Sequence, residues 1–257
     1  MKTASNRTII SLCTMLFLQY MLVAVWWIPY AAYLTRHEIP DATKAIALSA
    51  MAVGFMTSSI VGAIADRYLP AQKVLAATNL AVSLLLLAAG LSSSPTLTII
   101  LIYIIMLLYM PTWALTGSIT LKHVSQQQFP RIRLFGTLGW VSSGLFSIIA
   151  LNIFQNTTFD SSSLTYLCGS AVALLAALHA LTIPHTPPTA TKQKLTLARI
   201  LGFEALTLFR DRNCLAWFLL TFAAVLGYAM YYTYIGWFFN DRGFHLITAT
   251  VSLGQLG

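Results

Sequence analysis

Long apolar stretches separated by short polar segments run along almost the whole chain. A bilayer core about 30 Å thick requires roughly 20 consecutive apolar residues in a helix, because lipid offers no hydrogen-bonding partner to exposed backbone groups. Seven stretches reach or approach this length, and an eighth begins near residue 246. The seven predicted spans lie near 9–34, 44–65, 73–92, 96–120, 132–154, 163–183 and 214–238. The pattern therefore predicts an all-α integral membrane protein.

A long polar segment, residues 184–213, follows the sixth predicted span. It contains PHTPP, which excludes regular helix, and then LARILGFEALTLF, whose apolar and charged residues alternate at the spacing of a helix on a membrane surface. Transporters built from two repeated bundles show this order of spans and loop. We expect a complete six-helix bundle at 1–183, a cytoplasmic inter-bundle loop at 184–213, and the first one and a half helices of a truncated second bundle at 214–257.

Composition and charge support a membrane protein and indicate its orientation. Apolar residues make up 58% of the chain and charged residues 9%, whereas soluble domains are about 25% charged. The net charge of +8 does not indicate nucleic-acid binding, since such binders collect Lys and Arg on one solvent face. With a cytoplasmic N-terminus, all basic residues lie in cytoplasmic segments except Arg36, Lys44 and Arg242. This bias predicts that the N-terminus and 184–213 are cytoplasmic and that 155–162 faces outward.

The sequence contains no pattern that indicates catalysis or a metal site. It has no nucleophile elbow, no phosphate-binding loop and no pair of acids within a span. The three cysteines, Cys13, Cys168 and Cys214, stand alone in or beside apolar stretches, without a CxxC pair or a histidine at ligand spacing. We therefore expect a protein that is not an enzyme and that binds neither metal nor cofactor.

The segment GAIADRY, residues 62–68, lies where the second predicted span meets the cytoplasm. Gly62 would let a neighbouring helix approach, while Asp66 and Arg67 offer a charge pair and a helix cap at a cytoplasmic gate. An ordinary charged turn is the alternative. The segment resembles the GxxxDR loop signature of the major facilitator superfamily, and this resemblance implies a transporter built from two six-helix bundles.

The stretch FPRIRLFGTLGW, residues 129–140, places two arginines at the start of the fifth predicted span. Arg133, Thr137 and Trp140 are spaced i, i+4 and i+7 and so share one helix face. Small residues beside this face would let another helix hold it toward the protein interior. They are Gly136, Gly139 and Ser143. Alternatively, Arg133 extends to lipid phosphates at the cytoplasmic end of the span, as Arg131 is expected to do.

A longer stretch, Tyr109 to Trp140, resembles the fourth-span, loop and fifth-span signature of the nucleoside:proton symporter family, whose members resemble bacterial nucleoside permeases. FLQYMLVAVWWIPYAAYL in the first span, YAMYYTYIGWFF in the seventh and ATVSLGQLG at the end extend the resemblance. It implies proton-coupled nucleoside uptake by alternating access in a plasma membrane, here a bacterial inner membrane. Nucleoside, protons and the lipid bilayer would be the partners. A sugar or aromatic-acid symporter of the same superfamily and a non-transporting membrane receptor remain as alternatives.

The same resemblance implies a nucleoside site on the fifth span. Arg133 and Thr137 would contact the nucleoside, and Trp140 would lie against its rings. Further candidates for substrate contact are Gln19 and Trp27 on the first span, Tyr231 and Tyr232 on the seventh, and Gln255 on the eighth. Tryptophan and tyrosine also populate the membrane interface, so a role in an aromatic belt stays open for some of them. These are Trp26, Trp27, Tyr30 and Tyr109.

The carboxylates are placed outside the middle of the predicted spans. All seven Asp and Glu residues map to loops, span ends or the GAIADRY segment, and Asp160 maps to the loop after the fifth span. Proton coupling normally requires an ionisable group in the transport path. We therefore expect the coupling carboxylate beyond residue 257.

Overall fold

The computed structural model describes residues 5–188 and 203–256, apart from the side chains of residues 63–66, 204, 232, 233 and 256. Helices make up most of this part of the chain, and no strand occurs in it. The prediction of an all-helical protein is confirmed.

The helices follow the predicted spans in order. The first span consists of α1 (Asn6–Trp27) and α2 (Tyr30–Arg36), and the second of α3 (Asp41–Leu48), α4 (Ala50–Met56) and α5 (Ser58–Arg67). The third is α6 (Ala71–Leu91), the fourth is α7 (Pro95–Tyr109) with α8 (Pro111–His123), and the fifth is α9 (Phe129–Ser142) with α10 (Gly144–Asn152). The sixth is α11 (Leu164–Ala180), the seventh is α12 (Arg212–Asp241), and the eighth begins with α13 (Ile247–Leu253). Short 3₁₀ helices cover Phe159–Ser161, Phe203–Arg210 and Gly254–Leu256.

Six stretches of the described chain are long and apolar enough to cross a membrane. They are Asn6–Arg36, Asp41–Gly62, Ala71–Leu91, Pro95–His123, Phe129–Asn152 and Arg212–Asp241. Helix α11 is also apolar and has 17 residues. The predicted spans match these helices to within a few residues, which is the usual uncertainty of helix ends.

Proline and hydroxyl residues divide several spans into shorter helices. Pro29 separates α1 from α2, and Pro111 begins α8 directly after α7, because proline has no N–H to continue the helical hydrogen bonds. Ser49, Thr57 and Ser143 each donate a side-chain hydrogen bond of 2.7 Å to the carbonyl oxygen three residues earlier. Such bonds bend helices, and they account for the breaks in the second and fifth spans.

The first span occupies the centre of the packing. Helix α1 packs against α9 and α11, and α6 packs against α11. A Cβ atom on Gly139 would overlap the carbonyl oxygen of Phe17, and one on Gly169 would lie 2.6 Å from Cδ1 of Trp26. The expectation that Gly139 lets another helix approach the fifth span is therefore confirmed.

Residues 203–256 attach to the rest of the described chain at two places. Helix α12 packs against α2, and α13 packs against α10 and α9. The first and fifth spans thus form the surface on which the last described helices lie, and the cavity described next lies at this junction.

Candidate functional site

A cavity of about 230 Å³ lies where the first, second, fourth and fifth spans meet the last residues described. Half of its lining side chains are aromatic, and the others include one cation, one threonine hydroxyl and one amide. The lining residues are Tyr20, Trp27, Met51, Trp113, Arg133, Thr137, Trp140 and Gln255. Five of the eight predicted contact residues therefore line one space: Trp27, Arg133, Thr137, Trp140 and Gln255.

A second cavity, of about 270 Å³, lies between the first, second and seventh spans and includes Asp41, Lys44, Tyr234 and Trp237 in its lining. Asp41 and Lys44 pair at 3.3 Å, and the Asp41 side chain is 98% exposed. Among the side chains that the structure describes, this is the one ion pair. Because the charges of this cavity already neutralise each other, the cavity around Arg133 is the better candidate for ligand binding.

Arg133 is directed into the candidate cavity and not toward lipid. Its guanidinium carbon lies 4.1 Å from the centre of the Tyr20 ring, a cation–π contact that contributes about 0.5–2 kcal/mol. A Cβ atom on Gly136 would lie 2.7 Å from Nη1 of Arg133, so a side chain at position 136 would displace the guanidinium. No carboxylate in the described chain forms an ion pair with it. Arg131 is exposed, so the lipid-phosphate alternative fits Arg131 and not Arg133.

The aromatic wall of the cavity continues from Tyr20 onto neighbouring spans. The rings of Tyr20 and Trp113 have centroids 4.6 Å apart and are inclined by 32°. Phe55 meets Trp113 edge-on at 5.7 Å. None of these three rings is among the contact residues predicted from the sequence. Tyr20 could have been found, because it lies seven residues before Trp27 and so shares its helix face; Trp113 and Phe55 offer no comparable signal.

Trp27 and Trp140 are enclosed by protein, with 4% and 6% of their surfaces exposed. The Trp27 ring lies 5.5 Å from that of Tyr30 and 6.0 Å from that of Trp26. Belt residues face lipid headgroups, whereas Trp26, Trp27, Tyr30 and Tyr109 are all buried. The aromatic-belt alternative is therefore wrong for these four residues.

Gln255 brings the segment 203–256 to the cavity. It is half-buried in the 3₁₀ helix Gly254–Leu256. Tyr231 does not line the cavity, but its hydroxyl would lie 2.8 Å from a Cβ on Gly254, which places it beside the backbone that carries Gln255. The side chain of Tyr232 lies outside the described residues, so its predicted contact stays a prediction.

Gln19 does not line the cavity, in contrast to the prediction for it. It is 1% exposed, and its Nε2 donates hydrogen bonds to Thr112 Oγ1 at 2.6 Å and to Asn79 Oδ1 at 3.3 Å. Asn79 Nδ2 donates in return to Gln19 Oε1 at 3.0 Å. The hydroxyl of Tyr109 donates to the backbone carbonyl of Gln19. The amide therefore joins the first, third and fourth spans, and its hydrogen-bonding groups are used within the protein.

The structure describes the side chain of Arg67 and the backbone of Gly62 in the predicted gate motif. A Cβ on Gly62 would meet no described atom within 4 Å, so the close helix approach expected at Gly62 is absent from the described part of this conformation. Arg67 ends α5 and is half-buried. The Asp66 side chain lies outside the described residues, and its pairing with Arg67 stays a prediction.

Asp160 lies in the predicted loop after the fifth span and is nevertheless buried. Only 3% of its surface is exposed. Burial raises the pKa of the Asp160 carboxyl, and hydrogen bonds from Ser147 and Thr248 act in the opposite direction. The sequence does not indicate that this loop residue is buried, because the helices that bury it are far apart in the chain.

Comparison with known proteins identifies relatives over almost the whole chain. The profile of a family described as nucleoside H+ symporter matches residues 6–257. The putative nucleoside transporter YegT of Escherichia coli K12 is 31% identical over 252 residues, which cover 97% of this chain and 59% of that protein. The xanthosine permease of the same bacterium is 28% identical over 221 residues, which cover 83% of this chain and 51% of that protein.

Two crystal structures of the nucleoside transporter NupG share the fold of the chain. One, of a mutant, has a TM-score of 0.79 at 21% identity and is matched over 97% of this chain and 65% of its own. The other has a TM-score of 0.74 at 22% identity, over 98% and 65% of the two chains. At this identity the likeness establishes the fold alone.

The chain spans between about half and three fifths of the length of the curated relatives, 51% of the xanthosine permease and 59% of YegT. The family profile nevertheless covers nearly every residue present, from 6 to 257. It includes every span that contributes to the cavity. The chain therefore belongs to the nucleoside H+ symporter family of membrane transporters.

Proposed function

We propose that the full-length protein takes up nucleosides together with protons by alternating access. The observation that carries this proposal is the cavity at the junction of 5–188 and 203–256, where a cation, a hydroxyl and an amide stand beside aromatic rings. Membership of the nucleoside H+ symporter family supports both the substrate and the coupling ion. Relatives named as a nucleoside transporter and a xanthosine permease support the same substrate class.

The chemistry of the cavity suits a nucleoside. A nucleoside has a flat base, several nitrogen and oxygen acceptors, a sugar with hydroxyl groups and no net charge. Aromatic side chains offer faces on which a base can stack. A guanidinium that is not paired with a carboxylate keeps planar donors for those acceptors. A sugar or an aromatic acid could also bind to one guanidinium beside aromatic rings, and membership of the nucleoside H+ symporter family favours the nucleoside.

In this proposal each lining residue has a role. Arg133 and Thr137 donate hydrogen bonds to the base or the sugar, and Trp140 and Trp27 lie against the rings. Gln255 contacts the ligand from the other side of the junction. Bound nucleoside would then touch both bundles of the transporter, as alternating access about a central site requires.

We also propose the arrangement in the membrane. The N-terminus and the loop 184–213 are cytoplasmic, and 155–162 faces outward, in a bacterial inner membrane. Residues 1–183 form one bundle and residues 214–257 begin the second. The distribution of basic residues supports this orientation.

Uptake by the full-length protein tests the function. Proteoliposomes that contain the protein should accumulate labelled nucleoside when the outside is made acidic, and a proton ionophore should abolish the accumulation. Unlabelled nucleosides should compete, whereas sugars and aromatic acids should not. If only a sugar or only an aromatic acid competed, that compound class would be the substrate and the proposed nucleoside would be wrong. Binding of nucleoside without accumulation would indicate a receptor.

Cysteine labelling in intact cells tests the orientation. In a background without Cys13, Cys168 and Cys214, single cysteines are placed at the exposed residues Thr157 and Pro187. A membrane-impermeant thiol reagent should label Thr157→Cys from outside and should label Pro187→Cys only after the cells are permeabilised. Labelling of both in intact cells would contradict the proposed topology.

A further inference from the structure

Asp160 joins three segments that are distant in the sequence. Its Oδ2 atom accepts hydrogen bonds from Ser147 Oγ at 2.7 Å and from the Thr248 backbone N–H at 3.0 Å, and its Oδ1 atom accepts from Thr248 Oγ1 at 2.7 Å. Ser147 lies on α10 and Thr248 in the first turn of α13. The two partners are 1% and 0% exposed. The Asp160 carboxylate therefore links the fifth span to the eighth.

No cation neutralises this carboxylate in the described chain. Arg36 donates instead to Thr158 O at 3.4 Å and to Ser161 Oγ at 3.3 Å, and so holds the 3₁₀ helix that carries Asp160. The negative charge is thus stabilised by neutral donors, two of the three from Thr248. A buried charge held in this way depends strongly on each donor.

The helices beside Asp160 are in backbone contact. A Cβ atom on Gly144 would lie 2.7 Å from Ala249 Cα and 3.0 Å from Ser252 Oγ. Ser252 Oγ also donates to the carbonyl oxygen of Val141 at 3.4 Å. The fifth and eighth spans are therefore closed against each other from Val141 to the carboxylate of Asp160.

This closed seam lies at the end of the fifth span opposite to Arg133. Ser147 follows Arg133 by 14 residues, or about 20 Å along a helix. The seam therefore lies between the cavity-lining part of the fifth span and the side that carries residues 155–162.

We propose that Asp160, Ser147 and Thr248 form an outer latch, in which the Asp160 carboxylate holds α13 on α10 and so closes the cavity to the outside. The proposal rests on the alternating access of the proposed function. In the transport cycle the bonds between Asp160 and Thr248 break when the cavity opens outward and form again when it closes. Asp160 thus sets the balance between the two states and does not contact the substrate.

Thiol accessibility of the full-length protein tests the latch. Met51, which lines the cavity, is replaced by cysteine in the cysteine-free background, and an impermeant thiol reagent is added outside intact cells. Asp160→Asn keeps the size of the side chain and removes its charge. Loss of a charge-assisted hydrogen bond should shift the equilibrium toward the outward-open state and raise the labelling rate about ten-fold to a hundred-fold.

Matched variants separate a latch from a general loss of structure. Asp41→Asn alters an exposed carboxylate that pairs only with Lys44 and should leave the labelling rate unchanged. Thr248→Val keeps the backbone N–H and loses one bond, so it should accelerate labelling less than Asp160→Asn. Gly144→Leu should accelerate it by forcing α10 and α13 apart. If Asp160→Asn does not yield monodisperse protein, Thr248→Val and Gly144→Leu decide the question.

Two results would overturn the proposal. One is an unchanged labelling rate in folded Asp160→Asn or Thr248→Val protein. The other is labelling of the parent that is already as fast as that of the variants. The assay needs no nucleoside, so it can succeed or fail independently of the uptake experiment. Faster labelling in a protein that carries no nucleoside would retain the latch and reject the proposed substrate.

Discussion

Two polar clusters meet on the first span and have opposite properties. Gln19 belongs to a buried network with Asn79 and Thr112, in which both amide groups are hydrogen-bonded to protein. Tyr20, the next residue, supports Arg133 at the edge of a cavity. Successive residues of a helix point about 100° apart, so one span serves a closed cluster on one face and an open cluster on another.

The difference between the two clusters distinguishes a structural polar residue from a ligand-binding one. A polar group inside a membrane requires a partner, and Gln19 finds partners on two other spans. Arg133 lies over the face of Tyr20 and pairs with no carboxylate among the described side chains, beside a space lined by further polar groups. A polar side chain in a span therefore indicates binding only when some of its donors remain directed into a cavity.

The largest effect on binding is expected at Arg133. In Arg133→Lys the positive charge remains, but the planar fork of donors and the face that stacks on Tyr20 are lost. Nucleoside affinity of purified full-length protein should fall by about 1.5–3 kcal/mol, or about ten-fold to a hundred-fold. The midpoint of thermal unfolding should change little. An affinity equal to that of the parent would place Arg133 outside the site.

Gln19→Leu should show the opposite pattern. It leaves Asn79 and Thr112 buried without their partner, which should lower the free energy of unfolding by about 1–3 kcal/mol. Affinity of the protein that remains folded should be nearly unchanged. Gln255→Leu is the matched control, since the same substitution in the cavity should weaken binding and leave stability almost intact. Weaker binding of a fully stable Gln19→Leu protein would restore Gln19 as a contact residue.

Tyr20 connects the two clusters, and its substitution should have an intermediate effect. Tyr20→Leu removes the ring under Arg133 and the contact with Trp113. The loss of a cation–π contact of about 0.5–2 kcal/mol predicts an affinity about three-fold to thirty-fold weaker. Tyr20→Phe keeps the ring and should bind almost as the parent does. Equal losses in both variants would assign the effect to the hydroxyl group and not to the aromatic face.

The sequence predicted the positions of the spans and the cavity-facing side of the fifth span, and each prediction has a physical reason. Apolar length determines where a helix crosses a bilayer, so the span limits agree with the structure. The spacing of Arg133, Thr137 and Trp140 determines that they share a face, and Gly139 permits the contact that turns this face inward. Both predictions depend on the spacing of residues that are close in the chain, and a single sequence shows this spacing directly.

The sequence does not predict contacts between distant segments. It does not show that Asn79 and Thr112 satisfy the amide of Gln19, so the substrate contact of Gln19 stays a prediction. It places Asp160 correctly in the loop after the fifth span but does not show that Ser147 and Thr248 enclose its carboxylate. In each case the hydrogen-bonding partners lie on other spans. The periodicity of one span does not show which residues of another span will contact it.

The smallest measurable effect is expected at Thr137, one turn from Arg133 on the same face. Thr137→Val removes a neutral hydroxyl at nearly constant volume, so affinity should fall by about 0.5–1.5 kcal/mol, less than in Arg133→Lys. Arg131→Lys is the control at the exposed neighbouring position, where a lysine can reach lipid phosphates as well as an arginine. It should be silent in the same binding assay. The order Arg133, Thr137, Arg131 follows from the direction of each side chain, so equal small losses at all three would mean that this face of the fifth span only anchors the helix at the membrane edge.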